Sequence, residues 1–171
     1  DLYGAHYWTS EFLELAQVQS VAELNDRYLT ERVPYWLSYL LRHLLPPANI
    51  AEIGCGMGQF PYIAKQCGFQ QTAFEVSPEI CRYGREAFDI DMVCGTIDDR
   101  SGDYDCVAMM DLIEHIPELF PFMESVNRHM REDSILFLQT PCFTPEWSYA
   151  EMMQNQPRFS GLLLPEQHIF L

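Results

Sequence analysis

Glu52, Gly54, Gly56 and Gly58 stand together in Asn49-Ile-Ala-Glu-Ile-Gly-Cys-Gly-Met-Gly58, an apolar run that opens into three glycines at alternate positions. Lacking a Cβ, each glycine can take φ > 0 and let a ligand approach the backbone, although a plain tight turn would use the same residues. A dinucleotide-binding turn needs its third glycine further from the second than Gly58 is. An acid two residues before the first glycine also suits a cation better than a pyrophosphate, which it would repel. Glu75 ends the next apolar stretch, Thr72-Ala-Phe-Glu-Val-Ser77. At a strand end its two oxygens match the vicinal hydroxyls of a ribose; the alternative is an ordinary surface acid. Asp111, Glu114 and His115 have i, i+3, i+4 spacing, which in a helical turn puts two carboxylates and an imidazole on one face. Such a set is costly unless something positive joins it, and a divalent cation such as Mg²⁺ or Mn²⁺ would.

These side chains need a sheet edge on which to meet. The glycines lie between a buried strand at 49–54 and a helix at 58–67. Strand 71–76, helix 78–88, strands 91–94 and 104–110, helix 117–130 and strand 134–140 follow. Strands alternating with helices at these lengths imply an α/β, Rossmann-like doubly wound fold with a mostly parallel sheet and right-handed crossovers. The residues before 47 carry helical periodicity instead: Trp8, Phe12 and Leu15, then Val21 to Thr30, then a segment entered at Pro34 and stopped by Pro46-Pro47. Residues 1–46 read as an N-terminal helical cap or lid and 47–171 as the core. Tyr3-Gly-Ala-His-Tyr-Trp8 is either an aromatic lid over the substrate or packing of the first helix. A short helix is expected from Trp147 to Gln154.

Composition bounds the partners. A chain of 171 residues with 48% hydrophobic content forms one globular core, and a net charge of −15 argues against nucleic acid and anionic membrane surfaces. A small, neutral or cationic substrate is favoured. No apolar run is long enough for a membrane span, and the first residues lack the order of a signal peptide. The six cysteines form no Cys-x-x-Cys pair and read as core residues of a reducing, cytoplasmic compartment. The chain starts at Asp1 and stops after His168-Ile-Phe-Leu171, so it reads as part of a longer protein.

Glu52-Ile53-Gly54-Cys55-Gly56-Met57-Gly58 resembles the first motif of the class I S-adenosylmethionine-dependent methyltransferases, an acid and a small apolar residue before Gly-x-Gly-x-Gly. The likeness covers roughly 50–140. It implies S-adenosylmethionine as cofactor, held by Glu52, Gly54, Cys55, Gly56 and Gly58, with Glu75 and Val76 at the ribose. In Cys94-Gly-Thr-Ile-Asp-Asp99 it places Thr96, Ile97 and Asp98 around the adenine, or Asp99 if the loop is shifted. Met109 and Met110 would line the methionine part of the cofactor, or fill the core. Asp111, Glu114 and His115 resemble the acid-x-x-Glu-His motif of ubiquinone-pathway O-methyltransferases and small-RNA 2′-O-methyltransferases, where a further histidine follows the fifth strand; His168 holds a comparable place. The family's sheet has seven strands, of which five are readable here. Either the last strands are missing or Ile169 to Leu171 begins one.

The resulting expectation is methyl transfer to a small-molecule acceptor, at oxygen before nitrogen or carbon, with Asp111, Glu114 and His115 as catalytic residues. RNA 2′-O-methylation is a rival, weakened by ten Lys and Arg scattered among 25 acids. A non-catalytic module that keeps the fold is another. The oligomeric state is not legible.

Overall fold

The structure, a computed structural model, describes residues 13–14, 17–141 and 148–155. Its first long element begins at a made-to-order cap. The Ser20 hydroxyl accepts from the Glu23 N–H, and the Glu23 carboxylate accepts from the Gln19 N–H, starting α1 (Val21–Arg27). A π turn, Tyr28–Arg32, joins α1 to α2 (Val33–Leu40), which Pro34 enters in its first turn. The helix stops at Leu40, before Pro46-Pro47. Arg42 and His43 donate to the carbonyls of Tyr39 and Leu40, tightening the last turn, so the prolines follow the stop and do not cause it.

The elements then alternate: β1 (Asn49–Ile53), α3 (Gln59–Gln66), β2 (Gln70–Glu75), α4 (Pro78–Phe88), β3 (Met92–Cys94), a 3₁₀ turn (Ile97–Asp99), β4 (Tyr104–Met110), a second 3₁₀ turn (Ile113–His115), α5 (Leu119–Arg128) and β5 (Met130–Gln139). A short helix, α6 (Tyr149–Asn155), closes the described chain. Among the described residues five strands run parallel in the order β3-β2-β1-β4-β5. The winding therefore reverses between β1 and β4, and open α/β sheets bind ligands outside the carboxyl ends of the strands at such a reversal.

Alternation along the strands builds two apolar layers. Ile50, Cys106, Ala108 and Met110 pack on Val33, Trp36, Leu37 and Leu40 of α2 and on Phe60 and Ala64 of α3. Ala51, Ile53, Val107 and Met109 face Val126 of α5 and Ile97. Val33, Trp36, Leu37 and Leu40 of α2 thus share a core with the sheet. The Tyr3–Trp8 cluster and residues 169–171 lie outside the described residues.

β5 starts four positions earlier than the sequence pattern suggests. Tyr104 faces Met130, whereas Cys106 faces Ile135. Charged residues 131–133 bulge between these pairs, and the Ser134 hydroxyl closes the bulge by accepting from the Arg131 N–H at 2.8 Å and donating to the Tyr104 carbonyl at 2.6 Å. No described helix is long and apolar enough to cross a membrane.

Candidate functional site

The turn after β1 is held in a conformation that favours glycine. Gly54, Gly56 and Gly58 have φ of 68°, 52° and 92°. Two N–H groups, of Gly54 and Cys55, donate to the Phe74 carbonyl at 2.8 and 3.1 Å, which pins the turn to β2. Glu75 completes the fastening. Its Oε2 accepts from the Gly56 N–H at 3.1 Å and its Oε1 from the Ser77 N–H at 2.9 Å. Each carboxylate oxygen keeps a lone pair for a further donor, such as a ribose hydroxyl. A Cβ on Gly54 would stand 2.8 Å from Leu112 Cδ1, so the glycine turn and the loop after β4 meet closely.

Two buried carboxylates sit under this turn. Glu52 is 4% exposed and its Oε2 has no hydrogen-bond partner; Glu75 is 6% exposed. Burial, and then the charge of Glu75, push the Glu52 carboxyl well above the usual range. Burial also raises Glu75, against the pull of the Ser77, Gly56 and Val76 N–H groups. The Ser77 hydroxyl is likewise buried and unpartnered. Orphaned buried oxygens are rare in folded proteins, and these lie where a cationic amino acid and a hydroxylated sugar would supply donors. The residues present fit S-adenosylmethionine.

Other expected contacts are placed elsewhere. The Cys55 side chain enters a core cluster with Ala73, Cys81, Ile90 and Met92, leaving only its backbone to the turn. Val76 is exposed beside Glu75. Thr96 and Asp99 form a capping box around the 3₁₀ turn. Ile97 is buried among Phe74, Tyr104, Val107 and Val126 and belongs to the core. Asp98 turns to α5, accepting from Ser125 Oγ, His129 Nε2 and Arg128 Nη2, and these partners lower its carboxyl to about 2. Ile97 thus packs in the core, and Asp98 latches the 3₁₀ turn to α5. Met109 and Met110 fill opposite faces of the core.

The second constellation does not form a helical face. Asp111 takes a left-handed backbone, φ 49°, so no helical turn runs from 111 to 115. Its Oδ2 accepts from Arg32 Nη2 at 2.9 Å, a cation delivered from the π turn. Glu114 is buried, accepts from the Thr140 hydroxyl at 3.0 Å, and has Oε1 4.0 Å from His115 Nε2. Among the described residues no three His, Cys, Asp or Glu are placed to hold a metal ion. His168 lies outside the described residues. As described, Asp111, Glu114 and His115 do not fit a divalent-cation site, because a guanidinium already answers Asp111.

A groove of about 510 Å³, unforeseen from the sequence, opens between α2 and the carboxyl end of β5, lined by Glu31, Arg32, Tyr35, Trp36 and Gln139. Arg32 lies over the rings of Tyr28 and Trp36, 5.0 and 4.9 Å from their centroids, and donates to the Tyr28 hydroxyl at 2.8 Å. The four-residue spacing Tyr28, Arg32, Trp36 was the available signal.

The sequence profile of the family described as "Methyltransferase domain" matches residues 25–171. A ubiquinone biosynthesis O-methyltransferase of Xanthomonas campestris pv. campestris (strain B100) is 27% identical over 122 residues, covering 66% of this chain and 51% of that protein. The chain spans about half the length of the curated relatives it matches. A TehB-like SAM-dependent methyltransferase from Corynebacterium glutamicum has a similar structure, with a TM-score of 0.56 at 15% identity over 86% of this chain and 77% of that one. The plantazolicin methyltransferase BpumL in complex with SAH gives a TM-score of 0.57 at 18% identity, over 78% of this chain and 55% of that one. Identities this low speak for the fold alone, but the profile spans most of the sequence. With its glycine turn, five parallel strands and reversal between β1 and β4, the chain belongs to the methyltransferase-domain family and has the class I, S-adenosylmethionine-dependent methyltransferase fold.

Proposed function

We propose that this domain binds S-adenosylmethionine at the Gly54–Gly58 turn and directs its methyl group to an oxygen of a small-molecule acceptor in a reducing, cytoplasmic compartment. The observation that carries the reading is Glu52, buried with an unpartnered oxygen beside a second buried carboxylate under three left-handed glycines. Such a site lacks positive charge and hydroxyl donors. When bound, the cofactor supplies an electrophilic sulfonium methyl. Glu52 attracts its cationic part, Glu75 accepts the ribose hydroxyls, and the glycines let the backbone come close. His115 takes the acceptor's proton, and Glu114 Oε1, 4.0 Å from Nε2, stabilises the imidazolium that forms. The curated relatives, named as ubiquinone biosynthesis O-methyltransferases, support oxygen as the receiving atom. The net charge of −15 supports a small molecule over nucleic acid.

Calorimetric titration tests this reading. S-adenosylmethionine and S-adenosylhomocysteine should bind and a nicotinamide dinucleotide should not. Glu75→Ala should weaken the cofactor roughly tenfold to a hundredfold, the loss of about 1.5–3 kcal/mol expected for charge-assisted hydrogen bonds. His115→Ala should keep cofactor affinity and lose transfer, and a chelator should leave transfer intact because Arg32 holds Asp111. Failure of S-adenosylmethionine to bind the unaltered chain would end the proposal. Binding without transfer to any acceptor would leave a non-catalytic module.

A further inference from the structure

We propose that Cys81 and Cys94 are a peroxide-sensitive dithiol whose disulfide weakens cofactor binding at Glu75. The redox control rests on the methyltransferase reading; the disulfide itself does not. Cys94 ends β3 and is exposed, although the sequence suggested a core residue, whereas Cys81 is buried on α4. Strand register sets Cys94 beside Glu75. The Cys81 thiol reaches the same place from the helix side: its Sγ donates to the Glu75 carbonyl at 3.1 Å and lies 4.0 Å from the Val93 carbonyl. A side-chain hydrogen bond joins the two thiols. An accessible cysteine next to a resolving one is the arrangement in which oxidation ends in a disulfide.

A Cys94 thiolate attacks one peroxide oxygen, the O–O bond breaks, and the sulfur is oxidised to a sulfenic acid as hydroxide leaves. The Cys81 sulfur then attacks the sulfenic sulfur. The S–S bond forms, the S–O bond breaks, and the Cys81 proton leaves with the oxygen as water. Burial, then the hydrogen bond to Cys94, push the Cys81 thiol up to about 12, so Cys81 stays protonated and resolves the sulfenic acid instead of forming it. A small thiol reverses the bond by exchange. The consequence falls on Glu75. In the reduced chain its carbonyl accepts from the Gly95 N–H at 2.9 Å and from Cys81, while its carboxylate accepts from Gly56 and Ser77. Bonding the sulfurs withdraws the Cys81 donor and pulls α4, which begins right after Ser77, towards β3 across that strand end. The Glu75 carboxylate then leaves its place against Gly56.

The test treats the chain with hydrogen peroxide, blocks the remaining thiols and digests it without reductant. A linked peptide pair carrying Cys81 and Cys94 is expected, lighter than the two thiol peptides by two hydrogen atoms and absent after dithiothreitol. S-adenosylhomocysteine, titrated calorimetrically, should bind the oxidised chain severalfold more weakly and recover on reduction. Cys94→Ser, at an exposed position, should abolish both effects; Cys67→Ser, which removes the other exposed thiol among the described residues, should keep them. Linkage of Cys81 to Cys55, its neighbour in the core, or dimers joined through Cys94, or Cys94 left as a sulfinic acid, overturns the proposal. So does a Cys81–Cys94 bond that leaves affinity unchanged. Should the reduced chain bind no S-adenosylhomocysteine, the methyltransferase reading and the redox control fail together, and the peptide map alone decides the disulfide. Reduced-chain binding without linked peptides sinks this inference alone.

Discussion

Buried Glu52 should make the stability of the glycine-turn region respond to pH. Burial, then the charge of Glu75, raise its carboxyl well above the ordinary 4.5, so the folded chain holds a proton that the unfolded chain gives up. The sign follows from that difference. The contribution is fully present below about pH 4.5 and is lost as pH rises towards the raised folded value, so the empty domain weakens over that interval. Glu52→Gln keeps the shape and removes the titration, and its thermal midpoint should fall less than the parent's between about pH 5 and about pH 8. Cation binding runs the other way. A sulfonium or ammonium favours ionised Glu52, so the parent should bind S-adenosylmethionine more tightly as pH rises and release a proton, detectable by calorimetry in buffers of different ionisation heat. In Glu52→Gln both effects should vanish, and a proton release that persists would place the coupling elsewhere. Glu52 and Glu75 were legible in the sequence because a strand and a glycine turn fix where they must point. Asp111 was not, because its partner Arg32 lies 79 positions away and no local pattern links the two.

Elements carry the next constraint, through the turn that starts α3. Gly58 stands at its N-cap with φ 92°, and an added Cβ would lie 2.4 Å from Ile90 Cδ1. A left-handed alanine costs about 1–2 kcal/mol, and the Ile90 methyl can swing aside. Gly58→Ala should therefore lower the thermal midpoint by roughly 2–8 °C, at about 2–4 °C per kcal/mol for a chain of this size. Gly58→Asn should recover part of the loss, because asparagine tolerates this backbone. An unchanged midpoint in Gly58→Ala would mean that the turn relaxes out of the left-handed region. Helix 78–88 and strand 104–110 were readable to the residue, since Pro78 enters one and a run of buried residues interrupted only at Asp105 makes the other. β5 was misread at its start because residues 131–133 are charged and bulge before the ladder resumes at Ile135. The π turn left no trace either: Tyr28–Arg32 has ordinary helical composition.

At the scale of the whole molecule, charge is the property that sequence and structure share most directly. Twenty-five acids against ten basic residues leave −15, and the ion pairs of Arg32, Lys65, Arg100, Arg128 and Arg131 take up many of the cations. The field that remains is negative, and it acts on any ligand according to that ligand's net charge. S-adenosylmethionine carries one net positive charge, because its ammonium and carboxylate cancel and the sulfonium remains. S-adenosylhomocysteine has no sulfonium and is neutral overall. The screening length shrinks from about 30 Å at 0.01 M salt to about 10 Å at 0.1 M. Raising sodium chloride across that range should weaken S-adenosylmethionine severalfold and change S-adenosylhomocysteine by less than about twofold, while the thermal midpoint of the empty chain rises as self-repulsion is screened. Isothermal titration at a series of salt concentrations, with matched unfolding curves, separates the two effects. Parallel weakening of both ligands would show that salt acts on contacts they share, and that the acidic field does not draw the cofactor in.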